Sequence, residues 1–196
     1  MKIPILSELK SRGENPEYLF WIGCAGSFDD RAKKVTKAFV KILNKANISY
    51  AILGKEESCT GDPAKRSGNE FLFQMKAISN IEILNTYNVK KIITTCPHCF
   101  NTLKNEYPDL GGNYEVIHHT TLINNLVKDN KISISGGYYK GKKITYHDPC
   151  YLGRANGIYD APRDVIKKLD AELIEMKSCK SKSLCCGAGG CLLYTS

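Results

Sequence analysis

Residues 90–99 read KKIITTCPHC. Ile92, Ile93, Thr94 and Thr95 form an unbroken β-branched run, the residue class that packs well on a pleated surface. The run predicts a strand over 90–95 that delivers the chain into Cys96-Pro97-His98-Cys99, where a helix starts and continues to just before Pro108. The same alternation extends in both directions. Upstream, EYLFWIG (17–23) reads as a strand ending at Cys24, followed by a helix over 30–46 carried by Val35, Phe39, Ile42 and Leu43. SYAIL (49–53) is a second strand, and 69–87 a helix with Phe73, Ala77, Ile81 and Leu84 on one face. Downstream come the short strand YEVI and a helix over 120–128. The polar, glycine-bearing DNKISISGGYYKGKK then reads as a connector, after which the pattern restarts. KKITYHDP is a strand ending at Cys150, 160–169 a helix, and AELIEM a strand. Strands alternating with helices predict an α/β fold with a mostly parallel sheet.

The restart carries cysteines with it. Cys24 plus 126 is Cys150, and Cys59 plus 126 is Cys185. Their neighbours align as well, ESCTGD on SLCCGAG, so that Gly61 falls on Gly187. The chain therefore reads as an internal duplication with a period of about 126 residues. The expected organisation is an N-terminal arm (1–16), a first cysteine-rich repeat (17–129), a connector (130–141) and a second, incomplete repeat (142–190), each repeat a small sheet flanked by helices. The last six residues, CLLYTS (191–196), fit no motif and read as a non-native tail of the kind a library-preparation adaptor encodes.

The first repeat offers Cys24, Cys59, Cys96 and Cys99, each at or just after a predicted strand end. Ligands of open α/β sheets bind at the carboxyl ends of the strands. Three such loops can bring four thiolates to one point, a donor set that suits an iron–sulfur cluster or a structural zinc. Softness alone does not choose between them. The second repeat offers Cys150, Cys185 and Cys186, and the duplication predicts its C-x-x-C near positions 222 and 225, beyond the end of the chain.

The doubled pattern resembles the cysteine-rich CCG-domain family of iron–sulfur oxidoreductase subunits. That family includes heterodisulfide reductase catalytic subunits and iron–sulfur subunits of glycolate, lactate and anaerobic glycerol-3-phosphate oxidation systems. On that resemblance Cys24, Cys59, Cys96 and Cys99 fall on the first motif, and Cys150, Cys185, Cys186 and Gly187 on the second. All seven cysteines are then implied cofactor and metal ligands. The first motif departs from the family pattern, with Thr60 where the second cysteine of the pair would stand. The resemblance therefore implies an ordinary 4Fe–4S cluster or zinc in the first site, and the more reactive cluster in the second. The implied role is electron transfer as a subunit of an oxidoreductase complex, either heterodisulfide-reductase-like or relaying electrons from a flavin-dependent organic acid oxidase. The chain lacks the ferredoxin-like cysteine runs of many family members, so a flavoprotein or ferredoxin-like subunit is the implied partner.

Other readings compete. C-P-H-C at the start of a helix is also the signature of thioredoxin-fold thiol–disulfide oxidoreductases, because the helix N-terminus and His98 both favour a thiolate. A zinc-stabilised interaction module is the third reading. Cys179 belongs to no motif and is an incidental thiol, its counterpart in the first repeat being Leu53. His118 and His119 lie near the strand-end rim, where adjacent histidines do not face one point, so a loop or capping role is expected for at least one. Asp148 and Pro149 are expected to shape the turn that presents Cys150, and Gly187, Gly189 and Gly190 to let backbone approach the site.

Composition narrows the remaining classes. The net charge is 28 − 20 = +8, but the lysines alternate with apolar residues at helical spacing, as in RAKKVTKAFVKILNK. No basic block is interleaved with aromatics, which argues against nucleic acid as a partner. No stretch approaches the ~18 apolar residues of a membrane helix. With no secretion signal read in MKIPILSELK, the nine cysteines point to a reducing, cytoplasmic setting, with any membrane reached through a partner.

Overall fold

A computed structural model describes residues 3–134 and 137–187. Four strands, β1 (Tyr18–Trp21), β2 (Tyr50–Ala51), β3 (Lys91–Thr94) and β4 (Glu115–His118), form one wholly parallel sheet in the order β2-β1-β3-β4. Leu19, Phe20 and Trp21 pair with Ile92, Ile93 and Thr94, and Thr94 pairs with His118. Alternate residues feed two separate cores, as a sheet covered on both faces requires. Leu19, Trp21 and Ile92 meet Phe73, Ala77, Ile81 and Leu84 of helix α5 (Glu70–Thr86). Phe20 and Ile93 meet Phe39, Val40 and Leu43 of α3 (Asp30–Lys45), together with Leu122, Ile123 and Leu126 of α7 (His119–Lys128). Both long helices start at side-chain caps. Asp29 accepts the N–H of Ala32, and Asn69 accepts that of Leu72.

The remaining helices of this part are short: α1 (Leu6–Ser11) in the N-terminal arm, and α2 (Gly23–Phe28), α4 (Asp62–Arg66) and α6 (Pro97–Asn101) in the first repeat. Helix α1 is docked: Leu6 is buried, and its N–H donates to the Ile52 carbonyl at 2.8 Å, extending the sheet edge beyond β2. The helix after Cys96 does not stop before Pro108. It passes through a π-helical turn (Thr102–Glu106) into a 3-10 turn (Tyr107–Leu110), and Pro108 sits in the first turn of the latter, where no N–H is needed. Val35, expected on the buried face of α3, is 50% exposed because it borders the cysteine site instead.

In the second repeat β5 (Lys143–Ile144) pairs in parallel with β6 (Glu172–Leu173), apart from the main sheet, and α8 (Asp160–Lys168) packs on α7. The strand predicted to run through KKITYHDP covers only two residues. The backbone leaves the sheet because Asp148 is drawn away from it: its carboxylate takes two bonds from Arg163, at 2.6 and 2.8 Å, and the Lys180 N–H at 2.6 Å.

Candidate metal centre

The carboxyl edge of the main sheet gathers the first four cysteines. Cys24 lies in the first turn of α2, directly after β1. Cys59 follows β2 through a 3-10 turn (Gly54–Glu56). Cys96 is the N-cap of α6 after β3, and Cys99 lies within that helix, 6% exposed. Cys24, Cys96 and Cys99 line one cavity of about 250 Å³, while Cys24 and Cys59 line its neighbour of about 460 Å³. Cys24 thus stands on the wall between the two. Each cavity far exceeds the ~30 Å³ share of one water. Among the described residues no three His, Cys, Asp or Glu side chains are gathered tightly enough to hold a single metal ion. The donor set is soft.

The thiols influence one another. Burial pushes the Cys24 thiol up, and charge on Cys59 or Cys96 would push it further. Cys96 and Cys99 share a proton. The Cys99 thiol donates to Cys96, which holds Cys96 low against burial, and backbone N–H groups of Cys99 and His98 at the start of α6 add to this. Cys99 is correspondingly pushed well up. The Thr60 hydroxyl, at the position where the family pattern has a cysteine, bonds to Cys99 and partly offsets that rise.

Several residues that sequence reasoning missed position these sulfurs. Asn80, 1% exposed, donates to the Cys59 carbonyl at 2.9 Å and to the Tyr107 hydroxyl at 3.0 Å, and accepts from Ser58. The Tyr107 hydroxyl donates to the Thr60 carbonyl at 3.1 Å. Glu57 accepts the N–H groups of Ile22 and Gly23 at 3.1 and 2.6 Å. Burial pushes its carboxyl up to about 7 in spite of those two bonds. Gly23 has φ +78°, and a Cβ there would meet the Cys99 sulfur at 3.3 Å. Asn80 shows no motif; a polar residue in register with the buried Phe73, Ala77, Ile81 and Leu84 of α5 was the available signal.

His98 donates from Nδ1 to Asp62 at 2.6 Å, and that bond raises its pKa. Burial pushes Asp62 up, but His98 and Arg66 overcome this and hold its carboxyl low. Arg66 also pairs with Glu106. This network meets the second repeat through Tyr151, whose ring lies edge-on to His98 with centroids 4.7 Å apart and faces Arg66 at 5.2 Å. His118 ends β4 and is the N-cap of α7, the capping role expected for one of the pair, but its ring and that of His119 pack inward. Their rings touch at 4.3 Å and pack on Phe100 and Phe39. Burial pushes them down to about 3 and about 4, so both are neutral.

In the second repeat Cys150 opens a turn after Asp148, as expected, while Cys185 and Cys186 are exposed. Gly187 has φ +77° and donates its N–H to the Cys185 sulfur at 3.4 Å. Gly61 has φ +86° and donates to the Cys59 sulfur at 3.5 Å. The duplicated positions therefore adopt the same turn. Cys179 is partly buried and belongs to neither cavity. Gly189, Gly190 and 191–196 lie outside the described residues.

The family model of the cysteine-rich domain matches residues 18–104 and 144–194, two segments whose starts lie 144 − 18 = 126 residues apart. The chain is 51% identical over 182 residues to an EtfAB:quinone oxidoreductase of Syntrophomonas wolfei, covering 93% of this chain and 25% of the relative. It is 46% identical over 194 residues to the probable iron-sulfur-binding oxidoreductase FadF of Bacillus subtilis, covering 98% and 27%. It is 33% identical over 184 residues to a component of the dihydromethanophenazine:CoB–CoM heterodisulfide reductase of Methanosarcina mazei, covering 90% and 44%. The chain thus spans about a quarter to under half of these relatives. No solved structure matches it. The chain belongs to the cysteine-rich domain family.

Proposed function

We propose that this member of the cysteine-rich domain family is part of an iron–sulfur electron-transfer subunit of an oxidoreductase. The observation that carries the reading is the placement of Cys24, Cys59, Cys96 and Cys99 at one sheet edge, lining two adjoining cavities. Those four cysteines would hold a 4Fe–4S cluster, which supplies one-electron chemistry when bound. Zinc in one site is the alternative occupant. Cys150, Cys185 and Cys186 would be ligands of a second site, in a second repeat over 142–190 that follows the first (17–129) and the connector (130–141). The similarity to proteins named for EtfAB and quinone, and for a heterodisulfide, supports a redox partner subunit, of flavoprotein or ferredoxin-like kind. No helix among the described residues is long and apolar enough to cross a membrane, and we place the chain in the cytoplasm, reaching any membrane through that partner.

The chain's own residues prepare the site. The Cys99 thiol and the backbone N–H groups at the start of α6 favour a thiolate at Cys96. Asn80, Tyr107 and Glu57 fix the loops that carry Cys59 and Cys24. A thiol–disulfide role for C-P-H-C is disfavoured by the two further cysteines on the same cavities and by the wholly parallel sheet. Anaerobic reconstitution, iron and sulfide analysis and electron paramagnetic resonance test the proposal. Iron and sulfide in the ratio of a cluster, lost in Cys24→Ser and Cys96→Ser, are expected. Stoichiometric zinc without iron would overturn it.

A further inference from the structure

Residues Ile22 and Gly23 take up right-handed and left-handed backbone conformations in succession, at φ −77° and +78°. Consecutive N–H groups in that arrangement converge on one point and form a concavity for an acceptor. Glu57 fills it with both oxygens, from a position 34 residues along the chain and two before Cys59. The bond joins the two loops that carry Cys24 and Cys59, which line a common cavity with Glu57. Glycine is required at 23 by its φ and by the approach of the Cys99 sulfur, so the chain cannot relieve the turn locally.

The second repeat repeats the connection with different chemistry. Position 57 + 126 is Ser183 and position 22 + 126 is Asp148. The Ser183 hydroxyl donates to the Asp148 carbonyl at 3.1 Å, tying the turn before Cys150 to the turn before Cys185. One repeat uses a side-chain acceptor on backbone donors and the other a side-chain donor on a backbone acceptor. The shared feature is a tie between the two cysteine-bearing loops at equivalent positions.

We infer that Glu57 is a positioning residue for the metal centre: it sets the separation of Cys24 and Cys59 and keeps the Ile22 and Gly23 N–H groups engaged, away from the sulfurs. The inference rests on the proposed cluster only for its redox consequence. N–H bonds to cluster sulfurs shift the reduction potential, and a donor freed by loss of Glu57 stabilises added negative charge.

The test uses the full chain as wild type, Glu57→Gln and Glu57→Asp, with exposed Glu14→Gln as a control. The first readout needs no metal. Amide hydrogen exchange at Ile22 and Gly23 is expected to speed up at least tenfold in Glu57→Gln, while β3 amides keep their wild-type rates. After anaerobic iron loading, Glu57→Gln is expected to have a higher potential by redox titration and to release iron to a chelator several-fold faster. Glu57→Asp should fall between the two. Unchanged exchange at Ile22 and Gly23 in a folded Glu57→Gln overturns the tie. Faster exchange with unchanged potential and iron release overturns the positioning role. Failure of the wild type to take up iron counts against the cluster, and exchange alone then decides the tie.

Discussion

Gly61 is the most exacting backbone position of the first site, and Gly61→Ala puts a number on it. Its φ of +86° lies in the left-handed region, where an L side chain costs roughly 1–2 kcal/mol. A Cβ there would also lie 2.9 Å from Cδ2 of Phe73, 3.1 Å from its carbonyl oxygen and 3.3 Å from its Cα. Phe73 is 2% exposed and held within α5, so neither its ring nor its backbone is free to withdraw. Overpacking of that kind costs about 1–3 kcal/mol, for a sum of roughly 2–5 kcal/mol. Gly68→Ala supplies the comparison, since Gly68 has φ +79° and nothing within 4 Å of the added Cβ. It should lose only the backbone share, about 1–2 kcal/mol. Urea unfolding of the two variants at neutral pH, with slopes checked for equality, isolates the clash as the difference. Gly61→Ala should also retain less iron, because the displaced turn carries the N–H that meets the Cys59 sulfur. Equal losses in the two variants would refute the close-approach argument.

Stability should fall as pH drops below the ordinary histidine value of ~6.5, because His118 and His119 stay neutral in the fold to about 3 and about 4 while the unfolded chain takes up protons. Each contributes a loss of about 1.4 kcal/mol per pH unit within that window, and His118→Asn, which keeps a helix-capping residue, should remove one share of the slope in urea midpoints measured between pH 6 and 4.5. Arg163→Met should cost roughly 3–5 kcal/mol, since it strands Asp148, 1% exposed, without its bidentate partner; a loss in thermal or urea unfolding below about 1 kcal/mol contradicts this. Cys179→Ser should leave iron content and potential unchanged, whereas a loss of bound iron would make Cys179 a ligand.

The cysteines were legible because a ligand is recognised by identity and spacing, and neither depends on how the chain packs. The strand ends were legible for a related reason. EYLFWIG and KKIITT are dense in residues that favour pleated surface, and both become neighbours in the sheet with the cysteines at its carboxyl edge. KKITYHDP carries a weaker version of the same pattern, and there the prediction failed. A buried carboxylate with an arginine, a glutamate and a backbone N–H around it outweighs the propensity of four residues. His118 takes the N-cap position of α7, the capping role expected for one of the pair, but its burial was not expected. Adjacent residues at a strand–helix junction are not held to one regular geometry, so their rings can meet, tilted at 57°.

Glu57, Asn80 and Ser183 were illegible as site residues, because they act on backbone groups, and backbone groups carry no sequence signature. The duplication nevertheless encodes them indirectly. Once Cys24 and Cys59 are aligned with Cys150 and Cys185, positions 57 and 183 and positions 22 and 148 become comparable, although no residue type is shared between them. The two ties exchange donor for acceptor and still join the same loops. The glycine turns at 61 and 187 agree in φ and in their N–H to sulfur contact. Between Cys59 and Gly61 stands Thr60, buried against Cys99, while its counterpart between Cys185 and Gly187 is Cys186, exposed. The glycine turn and the tie between the loops are therefore common to the described parts of both repeats, and the residue after the first cysteine of the turn sets how many thiols each turn presents.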